Sequence, residues 1–279
     1  MQDRKKGFLG TPVMQVKHFR LRPIKPLLLT VGSLAMLIFL SGCVGTGNWG
    51  KVKWPAAEDL GRAAQKAASQ PQTWVPLLLA GALQIDDKDE DWSEDLRQRQ
   101  DLFGEDAEDR SSDFRDVATA AYLLTAVFAP SETVADKGRG LTLGAATMLA
   151  DGVINQGLKN LSGRERPESS NDESMPSGHA SKASSRTNMA IHNIRLMDIA
   201  PWQKRVATWG LHGVSAATGL SRVEAGKHYL GDVLVGYAMG HFVSEFMYEA
   251  FMPERTDGSR ISLLPLRDGA ALTLHIPLK

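Results

Sequence analysis

Apolar positions recur at helical spacing along most of the chain, and only the last stretch alternates. Leu27 to Leu40 is an apolar run behind a basic start, shorter than the roughly 20 residues a bilayer span needs. Pro55 to Ser69 places Leu60, Ala63, Ala64 and Ala67 on one side and predicts an amphipathic helix. Trp74 to Ile85 predicts a compact apolar helix, and Asp86 to Arg110 a solvated acidic loop or helix. Phe114 to Phe128 and Gly138 to Leu158 predict two buried helices, whose alanines and glycines allow close packing. Helices follow over Gly178–Met197, Pro201–Gly219 and Lys227–Phe251, with Pro201 suited to a first turn. From Arg260 to Ile276 the pattern alternates around Arg267-Asp268-Gly269, the signature of a short β-hairpin. The expected fold is therefore all-α with a short C-terminal hairpin. No run of 18 or more apolar residues follows Cys43, so the mature chain is not expected to span a membrane.

A length of 279 residues suits one good-sized domain with a small appendage. The net charge is zero, but seven of the 32 basic residues and only one of the 32 acidic residues lie in 1–42. The remainder is acidic, which argues against nucleic acid as a partner. The lone cysteine, Cys43, permits no intramolecular disulfide. It closes Leu40-Ser41-Gly42-Cys43, which resembles the lipobox of bacterial lipoproteins, where the signal is cleaved before a cysteine that is then acylated. The competing reading is an uncleaved anchor helix with a chance cysteine. The lipoprotein reading divides the chain into a signal peptide (1–42), a tether (43–55), a helical domain (56–252) and a tail (253–279). It implies a membrane tether through acylated Cys43 on the periplasmic side of a bacterial envelope. By resemblance to Gram-negative lipoproteins, Val44 after the cysteine favours the outer membrane.

Two local patterns carry less than they suggest. Asp87-x-Asp89-x-Asp91 opens like a calcium loop, but Trp92 stands where such a loop needs Gly and Gln98 where it needs Glu. No metal is expected. Gly138-x-Gly140 follows no strand and lacks the third glycine of a dinucleotide fingerprint.

The chemistry gathers in Lys159 to Asp232, in three clusters. The first runs from Lys159 to Arg166-Pro167, the second is Pro176-Ser177-Gly178-His179, and the third is Ser221-Arg222 followed by His228 and Asp232. Lys159, Arg166 and Arg222 supply charge and forked hydrogen bonds suited to phosphate oxygens. Ser177 can cap a helix and Gly178 admits close backbone approach, so that helix start is an anion site. His228 and Asp232 would share a face if the helix already runs there. The carboxylate could then hold one imidazole nitrogen as N–H and leave the other nucleophilic. His179 is free to act as acid on a leaving oxygen. His18, His192, His212, His241 and His275 read as packed or surface residues. Eleven identities at fixed local spacings, each roughly one in twenty by composition, do not co-occur by chance.

These clusters resemble the three-part signature of the type 2 phosphatidic acid phosphatase superfamily: Lys, six residues, Arg-Pro; then Pro-Ser-Gly-His; then Ser-Arg, five residues, His, three residues, Asp. The superfamily spans class A acid phosphatases, lipid phosphate phosphatases and vanadium haloperoxidases. The resemblance implies a helical bundle of the acid phosphatase and haloperoxidase type. It also implies metal-free phosphate ester hydrolysis through a phosphohistidine. His228 would be the nucleophile, Asp232 its orienter and His179 the general acid, with Lys159, Arg166, Ser177, Gly178 and Arg222 binding phosphate. The implied substrate is a phosphorylated lipid or a small phosphate ester, and phosphotransfer is a variant of the same chemistry. Arg164, Glu224 and Lys227 fall in the variable gaps and receive no role. Two other readings stand beside this one: a haloperoxidase holding vanadate as cofactor in the same site, and a non-catalytic lipoprotein.

Overall fold

The structure is a computed structural model that describes residues 55–129, 134–252, 260–266 and 269–275. The expected signal peptide, Cys43 and nearly all of the tether lie outside the described residues. The helices are α1 (Ala57–Ser69), α2 (Pro71–Leu83), α3 (Lys88–Arg99), α4 (Ala107–Phe128), α5 (Val134–Ser162), α6 (Gly178–Leu196), α7 (Pro201–Glu224) and α8 (Leu230–Phe251). A hairpin of β1 (Arg260–Leu266) and β2 (Gly269–His275) pairs antiparallel, with Leu263 opposite Leu272. The all-α expectation and the tail hairpin both hold.

Helix α6 is the hub, packed by α4, α5, α7 and α8, while α8 also carries α1 and α2. The larger apolar core joins Tyr122 and Ala126 of α4 to Met189, Ala190, Ile191 and Ile194 of α6 and Leu211 of α7. A smaller one joins Ala180, Val223 and Val233 directly beneath the signature residues. Around these, α6 buries small polar side chains, among them Ser181, Ser184, Ser185 and Thr187. Small residues let helix backbones approach closely, and α6 and α8 use this. A Cβ on Gly236 would fall 2.5 Å from the Ser177 carbonyl, and one on Gly240 would fall 2.1 Å from that of Ser181. Gly240→Ala must push the helices apart, and we expect a cost of about 1–3 kcal/mol with loss of site geometry. Gly61→Ala, which meets nothing within 4 Å, serves as the neutral comparison in the same thermal-unfolding measurement.

Three expectations need correction. The 86–110 segment is not simply solvated: α3 buries Asp89 (2% exposed) and Ser93 against the start of α8. The helices expected to be buried around Phe114–Phe128 and Gly138–Leu158 each expose an apolar face. Leu124, Val127 and Phe128 are exposed on α4, and Val153, Leu158 and Leu161 on α5. Periodicity finds an apolar stripe but does not say what covers it. The last helix begins at Leu230 rather than Lys227, leaving His228 in the preceding loop. Among the described residues no helix is long and apolar enough to cross a membrane.

Candidate active site

Five segments converge. The end of α5 brings Lys159, the 163–177 loop brings Arg164, Arg166 and Ser174, and the start of α6 brings Gly178 and His179. The end of α7 brings Arg222, and the turn into α8 brings His228 and Asp232.

His228 is 2% exposed. Its Nδ1 lies 2.7 Å from the carbonyl oxygen of Ser174. A carbonyl only accepts, so Nδ1 carries the proton and donates it there. Burial, then Arg222, Lys159 and Arg166, hold the imidazole well below its usual range of protonation. The ring is therefore neutral, with Nε2 unprotonated. The expected direct contact from Asp232 is replaced by a relay: its Oδ2 is 4.0 Å from Nδ1, beyond hydrogen-bond reach. Instead the Ser174 hydroxyl donates to Asp232 Oδ2 at 2.5 Å, while the Ser174 carbonyl holds the histidine. Because His228 precedes the helix, shared-face geometry does not apply to this pair.

Asp232 is fully buried and is neutralised by Arg164, whose Nη1 donates to Asp232 Oδ1 and to Asp89 Oδ2, both at 2.8 Å. The guanidinium also lies over the Tyr229 ring, 4.1 Å from its centroid. The N–H groups of Tyr229, Leu230 and Gly231 at the start of α8 are used internally. Tyr229 N donates to Asp232, Leu230 N to Ser93 Oγ and Gly231 N to Asp89. Helix α6 is the opposite case. Ser177 occupies its N-cap position but makes no side-chain cap, and its buried Oγ has no hydrogen-bond partner. The expected serine cap is therefore absent. The α6 terminus keeps its dipole and leading N–H groups free of a side-chain acceptor.

Other donors share this condition. Arg222 is 5% exposed, and its buried Nε is unpaired, as are Arg166 Nε and Asn155 Nδ2. Buried unpaired donors are costly, and their gathering here marks a site shaped for an anion. Lys159 donates to the Glu173 carbonyl. Burial and the neighbouring Arg166 lower its ammonium to about 8, and burial takes Arg222 down to about 10. His179 is pushed down to about 3 by burial, then by Arg222, Arg115 and Lys182. Its Nε2 sits 3.1 Å from Arg115 Nη1, which can only donate, so Nε2 accepts. Arg222 acts on both histidines, whereas Lys159 and Arg166 act on His228.

All eight expected side chains and backbone positions thus lie in or beside one electropositive centre. Sequence reasoning missed Ser174, Asp89, Asn155 and Arg115, and it gave Arg164 no role. Glu224 proves structural, accepting the N–H groups of Leu102, Phe103 and Gly104. Lys227 bridges Glu108 and Glu168. His192 pairs with Glu245 at 2.7 Å, and His241 meets Thr73 at 3.0 Å, as packed histidines do. The side chains of His18 and His275 lie outside the described residues. Among the described residues no cluster of three or more His, Cys, Asp or Glu is arranged to hold a metal.

These buried histidines set an acid-side stability loss. His179, His228 and His241 (the last lowered to about 4, mainly by burial) stay neutral when folded but take up protons near 6.5 when unfolded. The unfolded state then binds more protons below about 6.5, so stability falls as pH drops from there toward 4. Urea midpoints at pH 7 and pH 5 check this, the lower midpoint being expected at pH 5.

The helical bundle thus holds a buried neutral histidine among cations at an uncapped helix start, an arrangement with the donors an oxyanion requires. Residues 140–255 match the family model described as PAP2 superfamily, and that span contains all three clusters. Over this segment, less than half of the chain, the protein is similar to the type 2 phosphatidic acid phosphatase superfamily. Over 106 residues (38% of this chain) it is 33% identical to the Lipid A 1-phosphatase of Porphyromonas gingivalis. That match spans 22% of the relative's length. The crystal structure of a transmembrane PAP2 type phosphatidylglycerolphosphate phosphatase from Bacillus subtilis superposes with a TM-score of 0.48 at 20% identity. The superposition covers 64% of this chain and 94% of that one.

Proposed function

We propose that the protein is a phosphatase that moves a phosphoryl group from an ester to His228 and then to water. The observation that carries this reading is the His228 Nδ1–Ser174 carbonyl bond, which leaves Nε2 unprotonated among Lys159, Arg166 and Arg222. Bound phosphoryl oxygens take the unpaired donors of Arg166, Arg222, Ser177 and Asn155 and the leading N–H groups of α6. His228 Nε2 forms a bond to phosphorus as the bond to the ester oxygen breaks. His179 acquires a proton once the incoming dianion offsets the cations around it, and passes that proton to the leaving oxygen. Water then attacks phosphorus, the P–N bond breaks, and the proton of the water returns to His179. Asp232 acts through Ser174, fixing the carbonyl that holds His228 in this tautomer.

The substrate class is a lipid phosphate or a small phosphate ester. The name of the Porphyromonas relative, Lipid A 1-phosphatase, favours the lipid, as do the exposed apolar faces of α4 and α5. An acylated Cys43 would hold the domain at the periplasmic side of the envelope, at the outer membrane. The chemistry calls for no metal.

A phosphate-release panel on the full chain tests the reading. It compares phosphatidic acid, prenyl phosphates, nucleotides and p-nitrophenyl phosphate, with halide oxidation in added vanadate as a parallel arm. Phosphate release with lipid preference is expected. Halide oxidation without phosphate release would make vanadate the resident cofactor, and no activity in either arm would leave a non-catalytic lipoprotein.

A further inference from the structure

A second group of cations stands beside His179, outside the signature. His179, Lys182 and Arg186 are three and then four residues apart on α6, so they share one helix face. Arg115 faces them from α4, with Nη1 3.1 Å from His179 Nε2. Arg115 spends its other nitrogens on exposed Asp116, with Nε at 3.0 Å and Nη2 at 2.9 Å from one carboxylate oxygen. Lys182 has no acidic partner within ion-pair distance among the described residues, and the buried Nε of Arg186 has no acceptor. Beneath them, buried Asp151 receives Ser181 and Ser185. Burial, then Arg186 and Arg115, lower the Lys182 ammonium against a smaller opposing pull from Asp151, so the three positive charges are close enough to oppose one another and Asp151 offsets only part of them.

The two cation groups are distinct. Lys159 and Arg166 act on His228, Arg115 and Lys182 act on His179, and Arg222 lies between them and acts on both. In an in-line displacement the leaving oxygen departs on the side away from the nucleophile. If His179 serves that oxygen, the next atoms of the leaving group run into Arg115, Lys182 and Arg186. Charge on those atoms would also relieve His179. A leaving phosphate has a second ionisation near 6, whereas an alcohol is roughly as weak an acid as water, near 15.7. A phosphate can depart largely as an anion held by cations, with less demand on a histidine that resists protonation.

We propose that Arg115, Lys182 and Arg186 form a second anion subsite on the leaving-group side, selecting diphosphate esters over monophosphate esters. This rests on the phosphatase reading above. The bond broken is then the phosphoanhydride: His228 takes the terminal phosphoryl group and the alkyl monophosphate leaves.

The test compares decyl diphosphate with decyl monophosphate on the full chain. The wild type is expected to favour the diphosphate at least tenfold in kcat/KM. Lys182→Gln and Arg115→Gln should each cut the diphosphate-to-monophosphate ratio tenfold or more, and Lys182→Arg should largely restore it. Equal losses on both substrates in folded variants, or a wild-type preference for the monophosphate, would overturn the proposal. A second readout needs no turnover, namely protection against thermal unfolding by inorganic pyrophosphate and by phosphate. Pyrophosphate should protect better, and Lys182→Gln should erase the difference; equal protection in the wild type counts against the subsite. Lys182-dependent pyrophosphate protection with no turnover of either ester would sink the phosphatase reading and leave the subsite standing.

Discussion

His228→Ala should abolish phosphate release, lowering kcat by roughly four orders of magnitude or more, while the helical core stays folded. Removing a nucleophile removes a bond-forming partner rather than one contact among several, so the loss is of the size seen when catalytic units are broken. The structural cost is smaller. The Ser174 carbonyl loses its buried donor, worth about 1–3 kcal/mol. Steady-state rates and thermal midpoints measured together separate the two effects. His228→Asn is a useful companion, because its amide nitrogen stands where Nδ1 does and can still donate to the Ser174 carbonyl but cannot attack phosphorus. Residual activity within tenfold of wild type in either variant would contradict the assignment.

Arg164→Met is expected to be the most destabilising single change in the site. Asp89 and Asp232 are 2% and 0% exposed, and one guanidinium nitrogen serves both. Without it two carboxylates remain close together and largely out of water. Breaking a buried pair in this way costs about 3–5 kcal/mol. For a domain of this size that is a fall in thermal midpoint on the order of 10 °C. The damage also reaches the chemistry, because Asp232 anchors the Ser174 hydroxyl and Ser174 holds His228. Near the assay temperature the surviving folded protein should lose kcat more than it changes KM, as expected for a misplaced nucleophile. Arg164→Lys should recover only part, since an ammonium lacks the planar fork and its stacking over Tyr229. An unchanged midpoint for Arg164→Met would show that the two aspartates are held by something else.

The contrast between His228 and Arg164 shows what could be read from the chain. The residues Lys159, Arg166, His179, Arg222, His228 and Asp232 stand in short motifs with fixed local spacing, so their identities survive without any knowledge of packing. Asp89 and Arg164 are 75 positions apart and meet only after α3 docks against the start of α8. Nothing in the Asp-rich segment distinguishes buried Asp89 from exposed Asp87 and Asp91. Ser174 was invisible for a related reason: its carbonyl does the orienting, and every residue has a carbonyl. The helix boundary at Leu230 turned on Asp232, which accepts the Tyr229 N–H and fixes where α8 begins. Helical periodicity gave the all-α class and most element positions, while the exposed leucines of α4 and α5 carry the same stripe that burial would produce.

Rapid acid and alkaline quench of the full chain turning over a labelled phosphate ester, with peptide mapping of the trapped protein, tests the central claim most directly. The account predicts an alkali-stable, acid-labile phosphoryl group on His228 that forms and decays at rates compatible with turnover. Active enzyme that releases phosphate without passing through any label at His228, or with label at another residue, would contradict it.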